Sequence, residues 1–246
     1  MSPILVVKVG TSTLLSRYEA PMGTFEVIAN SIISLRERYR IVLVTSGAIG
    51  FGVVQAGIGM RPTEIAKLQA LSMMGQVGLL RRWREAFDPL AIGQVLVTRA
   101  DLERQASSDS FRQSVGQLWE YGAIPILNEN DAVSNEEISF GDNDQLAAEV
   151  AVAIGAQHLI LLTDQDGIRS DFGTMSEQRI PEISVEDVGK HLTTAGSPVG
   201  KGGALSKVQA ARIALEIGIE VVIAHAASPN SIQDALAGKI GTKLVQ

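Results

Sequence analysis

Six short runs dominated by Val, Ile and Leu punctuate this chain, at residues 4–9, 41–44, 92–97, 123–127, 159–162 and 221–224. None of them alternates apolar with polar residues, which is the pattern of strands covered on both faces. Between the runs, apolar residues recur at helical spacing: Phe25, Ile28, Ile32 and Leu35; Ile65, Leu68 and Leu71; Phe111, Val115 and Leu118; Leu146, Val150 and Ile154; Ala211 and Leu215. Strands that alternate with helices in this way predict an α/β fold with a largely parallel sheet and helices on both faces. The 24 glycines among 246 residues suit many tight strand-to-helix turns. No repeat of solenoid period and no low-complexity tract is visible. Residues 165–199 mix Gly, Pro, Ser and Asp and are expected to form an excursion from the sheet. A division near residues 155–157 would give two lobes.

The chain has no cysteine. That excludes a disulfide framework, a thiolate nucleophile and a Cys-ligated metal. With 27 acidic and 21 basic side chains the net charge is -6, which argues against a nucleic-acid groove. Anionic small molecules need only a few local cations and stay possible. No apolar run approaches the ~18 residues that would span a bilayer. The N-terminus lacks the basic and long apolar regions of a signal peptide. A cytoplasmic protein without membrane or nucleic-acid partners is expected. His158, His191 and His225 lack metal-ligand spacing and are expected to be structural or exposed.

In open parallel sheets ligands bind beyond the carboxyl ends of the strands. The first run contains Lys8 and ends in Gly10-Thr11-Ser12; the second ends in Thr45-Ser46-Gly47-Ala48. A lysine inside a strand covered on both faces must reach water at the strand's end or meet an anion, because an unpaired buried ammonium is costly. The fourth run leads into Asn128-Glu129-Asn130-Asp131, and Gly141-Asp142-Asn143-Asp144 opens the helix that follows. Each of these residues is a good helix cap or turn former, but together they offer more carboxylates and amides than capping needs. Such a set could grip an amino group or position a phosphate donor. The fifth run ends in Thr163-Asp164, before a turn at Asp166-Gly167. Lys201-Gly202-Gly203-Ala204-Leu205-Ser206-Lys207 opens the next helix with glycines, backbone N–H groups and two lysines, a combination suited to a polyphosphate. It is not a Walker A loop, and no Gly-x-Gly-x-x-Gly follows the first strand. Asp171-Phe172-Gly173 spells a protein-kinase metal motif but lacks its companions and is read as chance.

Taken in order, Val7-Lys8-Val9-Gly10-Thr11-Ser12, Val44-Thr45-Ser46-Gly47-Ala48-Ile49, Asn128 to Val133, Gly141 to Asp144, Leu162-Thr163-Asp164 and Gly202-Gly203 through Lys207 resemble the amino acid kinase family in its glutamate 5-kinase branch. The resemblance runs from Lys8 to Lys207. It implies one amino acid kinase domain over residues 1–246, a three-layer αβα sandwich with an amino-acid-binding lobe at 1–155 and a nucleotide-binding lobe at 156–246. It implies phosphorylation of the γ-carboxylate of L-glutamate by ATP, the first step of proline biosynthesis, with Mg²⁺ carried mainly by the ATP phosphates. By the same resemblance Ser46, Asp131 and Asn143 would contact glutamate. Lys8 and Lys207 would contact the transferring phosphoryl group, and Asp144 would hold the two lysines apart and oriented. Thr163, Asp164 and the segment Lys201, Gly202, Gly203, Ala204, Leu205, Ser206 and Lys207 would line the nucleotide site.

The chain departs from the pattern at Lys201, where the family usually has Thr, and at Ala204-Leu205. Many members also carry a C-terminal PUA domain, whereas this chain stops at Gln246. A homo-oligomer, dimer or tetramer, and functional coupling to glutamyl-phosphate reductase are further implications. The competing readings are a sibling kinase with another acceptor and a non-catalytic amino-acid or nucleotide sensor.

Overall fold

The computed structural model describes residues 2–15, 23–134, 142–171, 174–191, 201–226 and 228–246. Strand β1 (Ile4–Val9) runs into the single turn α1 (Thr11–Leu14), followed by α2 (Thr24–Leu35), β2 (Arg40–Thr45), α3 (Ala48–Gln55) and α4 (Ile65–Phe87). Next come β3 (Ile92–Val97), α5 (Arg99–Glu103), α6 (Gln105–Glu120), β4 (Ile124–Glu129) and α7 (Asp142–Ile154). The remainder comprises β5 (His158–Thr163), β6 (Arg169–Ser170), β7 (Gln178–Arg179), β8 (Glu182–Ser184), α8 (Val188–His191), α9 (Lys201–Leu215), β9 (Glu220–His225), α10 (Ser231–Leu236) and β10 (Thr242–Val245).

All six apolar runs are strands of one eight-stranded sheet in the order β3-β4-β2-β1-β5-β9-β10-β8. The six are mutually parallel. Strand β10 turns back antiparallel to β9, and β8 lies parallel to β10 at the far edge. Successive side chains of a strand point to opposite faces. In β1, Leu5, Val7 and Val9 pack with Phe25, Ile28, Leu79, Trp83 and Ile232 from α2, α4 and α10. Val6 packs on the other face with Phe111, Val115, Leu146, Val150 and Ala211 from α6, α7 and α9. These two clusters are the two interfaces of an αβα sandwich. Among the described residues no helix is long and apolar enough to cross a membrane.

One expectation from the apolar runs fails. Strand β3 is not covered on both faces: Gln94 is exposed and Leu96 is 40% exposed. It is the outermost strand on its side of the sheet, hydrogen-bonded only to β4. The helical layers cover the middle of the sheet and thin out at the edge, so an uninterrupted apolar run does not by itself mark a central strand.

The excursion expected at 165–199 contains the β6–β7 ladder, edge strand β8 and the short α8. Its opening turn has Gly167 at φ 79°, where an added Cβ would collide with the Thr242 hydroxyl. Phe172 and Gly173 of the chance tripeptide lie outside the described residues. On the opposite side of the molecule, α3 and α4 touch backbone to backbone. A Cβ on Gly75 would overlap the Ala48 carbonyl oxygen, and one on Gly52 would overlap that of Leu71. This contact sets how close α4 comes to the strand ends.

Candidate active site

Strand β1 lies at the centre, with β2 on one side and β5 on the other. The chain winds outward in both directions from this point, so the loops at the carboxyl ends of β1, β2 and β5 part and leave a crevice. Lys8 shares the face of Val6 and therefore points toward the layer of α7 and α9. Its Nζ lies 2.6 Å from Asp144 Oδ1. From α9, Lys207 Nζ lies 3.1 Å from Asp144 Oδ2, and the Ser206 hydroxyl donates to the same oxygen at 2.9 Å. Lys8 is 4% exposed and Asp144 1%. Asp144 stands in the first turn of α7, where a carboxylate is favoured by the helix dipole.

Two ammonium groups and one carboxylate leave an excess positive charge in a buried place. Burial lowers the Lys8 ammonium below the usual lysine range; Asp144 opposes this, and Lys207 adds to it by repulsion. Burial alone would raise the Asp144 carboxyl, but attraction to Lys8 and Lys207 and their hydrogen bonds outweigh it and hold Asp144 below the ordinary carboxylate value. Such a cluster is a poor way to stabilise a fold, since desolvation offsets the Coulomb gain. It is well suited to receive an anion that supplies the missing negative charge.

A second cluster, mostly of neutral groups, lies beside the first. Asn143, adjacent to Asp144, donates from Nδ2 to the Thr45 carbonyl at 2.5 Å and to Asn128 Oδ1 at 2.7 Å. The backbone N–H of Glu129 also donates to Asn128 Oδ1, at 3.0 Å. Asn128 Nδ2 donates in turn to Gln76 Oε1 on α4 at 2.8 Å. The Thr45 side chain accepts from the buried Trp83 indole at 2.9 Å, which ties the end of β2 to α4. Further along α4, the Ser72 hydroxyl donates to Asp131 Oδ2, and Gln69 donates to the Ser134 carbonyl at 3.1 Å. Ser46 is half-buried, and its backbone N–H donates to the Val9 carbonyl at 3.1 Å, joining the ends of β1 and β2.

The sequence-predicted residues thus fall into groups. Lys8, Asp144, Lys207 and Ser206 meet in one cluster; Asn143 joins the amide chain; Asp131 is held from α4. Thr163, buried at the end of β5, hydrogen-bonds through its side chain to its neighbour Asp164 at 3.1 Å. Of Lys201 and Gly202 only the helical backbone is described; Gly203 and Ala204 are partly buried, and Leu205 is 53% exposed. Gly141 lies outside the described residues.

Sequence reasoning passed over the side chains of Gln69, Ser72 and Gln76. Their spacing of three and four residues places them on one face of α4, distinct from the apolar stripe of Leu68, Leu71 and Leu79. Because α4 also exposes Lys67, Arg81 and Arg82, Gln69, Ser72 and Gln76 do not stand out from its solvent face along the chain. Asn128 reads as a turn residue but is 3% exposed and lies within β4.

The chain spans 65% of the length of a glutamate 5-kinase of Thermus thermophilus, to which it is 40% identical over 239 residues, 95% of this chain. The glutamate 5-kinase of Symbiobacterium thermophilum is 41% identical over 246 residues, 97% of this chain and 94% of that one. Among solved structures, the carbamate kinase of Giardia lamblia bound to AMP-PNP superposes with a TM-score of 0.69 at 17% identity, over 99% of this chain and 98% of that one. The UMP kinase of Ureaplasma parvum gives 0.67 at 16% identity over the whole of both chains. At such identities the structural likeness concerns the fold, the same three-layer arrangement. The profile described as "Amino acid kinase family" matches residues 3–225, and with this fold and these relatives the chain belongs to the amino acid kinase family.

Proposed function

We propose that the protein transfers the γ-phosphoryl group of ATP to the γ-carboxylate of L-glutamate, giving γ-glutamyl phosphate and ADP, the opening reaction of proline biosynthesis. The observation that carries this reading is the Lys8–Asp144–Lys207 cluster at the carboxyl end of β1, its first two members buried and Lys207 partly so, with one positive charge in excess. Both reacting groups are anionic, so in-line attack needs cations that offset their repulsion and spread the charge on the equatorial phosphoryl oxygens. Lys8 and Lys207 take that role, and Asp144 keeps them on opposite oxygens of one carboxylate. A carboxylate of ordinary pKa, about 4.3, is already ionised at neutral pH, so the nucleophile needs no general base. The new bond joins a glutamate oxygen to phosphorus as the bond to the ADP oxygen breaks.

In this reading Asp131, Asn143 and Ser46 bind glutamate, with the Asp131 carboxylate facing its ammonium. Thr163, Asp164 and the 201–207 turn bind the nucleotide. The division near residue 155 then separates an acceptor half from a nucleotide half. The donor set at the cluster is cationic and suits phosphate oxygens; Mg²⁺ would be held through the ATP phosphates, where it neutralises their charge. The protein would work in the cytoplasm, and a reductase acting on the labile acyl phosphate would consume the product. A homo-oligomer of two or four copies would find apolar side chains to cover on α3, α4 and the turn between them, where Val54, Met60, Met73 and Val77 are exposed. Light scattering at working concentration tests that assembly, and a monomeric mass would reject it.

Hydroxylamine trapping with ATP, Mg²⁺ and either L-glutamate, N-acetylglutamate, aspartate or no acceptor tests the reaction. Hydroxamate and ADP are expected in equal amounts with glutamate alone. Product with another acceptor, or none with folded protein, would reject the assignment.

A further inference from the structure

The amide chain beside the cluster has only one possible hydrogen-bond polarity. The Thr45 carbonyl can only accept, so the Asn143 group facing it is the NH₂. The Glu129 N–H can only donate, so Asn128 turns its oxygen toward both Glu129 and Asn143. That leaves the Asn128 NH₂ for Gln76, which receives it through Oε1. Both protons of the Asn143 amide nitrogen are therefore engaged within the protein, and its remaining hydrogen-bonding atom is the carbonyl oxygen, an acceptor. Asp131, held by the Ser72 hydroxyl, is an acceptor too.

We propose that Ser72 and Gln76 are positioning residues that fix Asp131 and Asn143 as acceptors for a substrate ammonium, so that the site selects a free amino group over an acylated or missing one. This rests on the reading of glutamate as the acceptor. Ser72 acts on the carboxylate directly. Gln76 acts at one remove: its Oε1 takes the Asn128 NH₂ and so adds to the Glu129 N–H in holding that amide, as Asn128 adds to the Thr45 carbonyl in holding Asn143. Neither residue reaches the lysine cluster, so the effect belongs to acceptor binding and not to phosphoryl transfer.

The test compares glutamate with glutarate, the same dicarboxylate without the amino group, used as an inhibitor competing with glutamate. In Ser72→Ala the KM for glutamate is expected to rise about tenfold, the loss of one hydrogen bond to a charged group. The glutarate inhibition constant, kcat and the KM for ATP should stay within about twofold. Gln76→Leu should shift glutamate in the same direction, and Gln76→Glu, which keeps an acceptor for Asn128, should restore it. Because Gln76 and Ser72 are tested separately, a variant that fails to fold leaves the other to decide. Equal weakening of glutamate and glutarate, or a glutamate KM within twofold of wild type in both Ser72→Ala and Gln76→Leu, would overturn the proposal. Wild-type protein that forms no glutamate-dependent hydroxamate would overturn the underlying reading instead, and with it this one.

Discussion

The two halves of the crevice solve different problems with different chemistry. On the α7–α9 side, the buried Lys8 and Asp144 meet the partly buried Lys207, with ion-pair distances of 2.6 and 3.1 Å. On the α4 side, amides, hydroxyls and backbone groups form a hydrogen-bonded chain from Gln76 to Thr45, with Asp131 pinned nearby. Buried charge is costly to fold around but acts strongly on a developing charge in a medium of low dielectric. A neutral chain costs little once every member is satisfied, and it holds direction more than it supplies field. In the function proposed above, the contrast becomes a division of labour: the charged side would govern rate, and the hydrogen-bonded side on α4 would govern which acceptor is admitted.

The hardest test of that contrast is Lys207→Ala. It is expected to lower kcat by at least ~10²-fold, as for lost electrostatic donors generally, while the glutamate KM changes little. Near-wild-type turnover in steady-state assays would erase the distinction between the halves. Next comes Gly75→Ala, which drives a methyl group into the Ala48 carbonyl and pushes α4 off α3. A loss of roughly 1–3 kcal/mol in urea denaturation is expected, with weaker glutamate binding because Ser72 and Gln76 ride on α4. Unchanged stability would mean that the α3–α4 contact does not set the position of the amide chain.

The smallest expected effects are in the pH profiles. Burial holds the Lys8 pKa below its usual 10.5, so its positive charge is lost as pH rises through that lowered value. In kcat/KM for ATP, which reports the free enzyme, the alkaline limb should lie below pH 10.5 and be unmoved by Ser72→Ala. A limb at or above the ordinary lysine value would contradict it. Asp144 works in the other direction: its carboxyl is held below the usual 3.8, so the stability it contributes is present above that pH and is lost as pH falls through the depressed value. Lys207→Ala removes one of the two cations that depress it, so acid unfolding followed by circular dichroism should begin at higher pH in that variant than in wild type. Coincident acid transitions would mean that Lys207 does not help to keep Asp144 ionised.

Much of this organisation was legible in the residues. The apolar runs mark six strands of the main sheet, and for all but β3 the reason is that strands buried on both faces need no polar alternation. Phe25, Ile28, Ile32 and Leu35 mark α2 because one helical face must be buried. The short strands β6, β7, β8 and β10 and the helix α3 carried no such signal: they are too short for a period, or, like α3 with its glycines, packed by backbone contact. Lys8 announced itself as a charge in a strand that should have none. Ser72 and Gln76 did not, because a serine and a glutamine on a long helix look like surface residues until the partner is in view.

By itself, then, the sequence determined the α/β class, six strands of the main sheet, and the residue types gathered at their carboxyl ends. These are local consequences of period, chain chemistry and the exclusion of unpaired charge from a buried strand. Only the tertiary structure decided the distances at which Lys8 and Lys207, 199 positions apart, meet one carboxylate, that β3 lies at an edge, and that α4 holds Asn128 and Asp131 through Gln76 and Ser72. Those facts depend on strand order, on the close approach of Gly52 and Gly75, and on the direction of individual hydrogen bonds. None of these leaves a periodic trace along the chain, because each is set by groups that meet only after the sheet has closed.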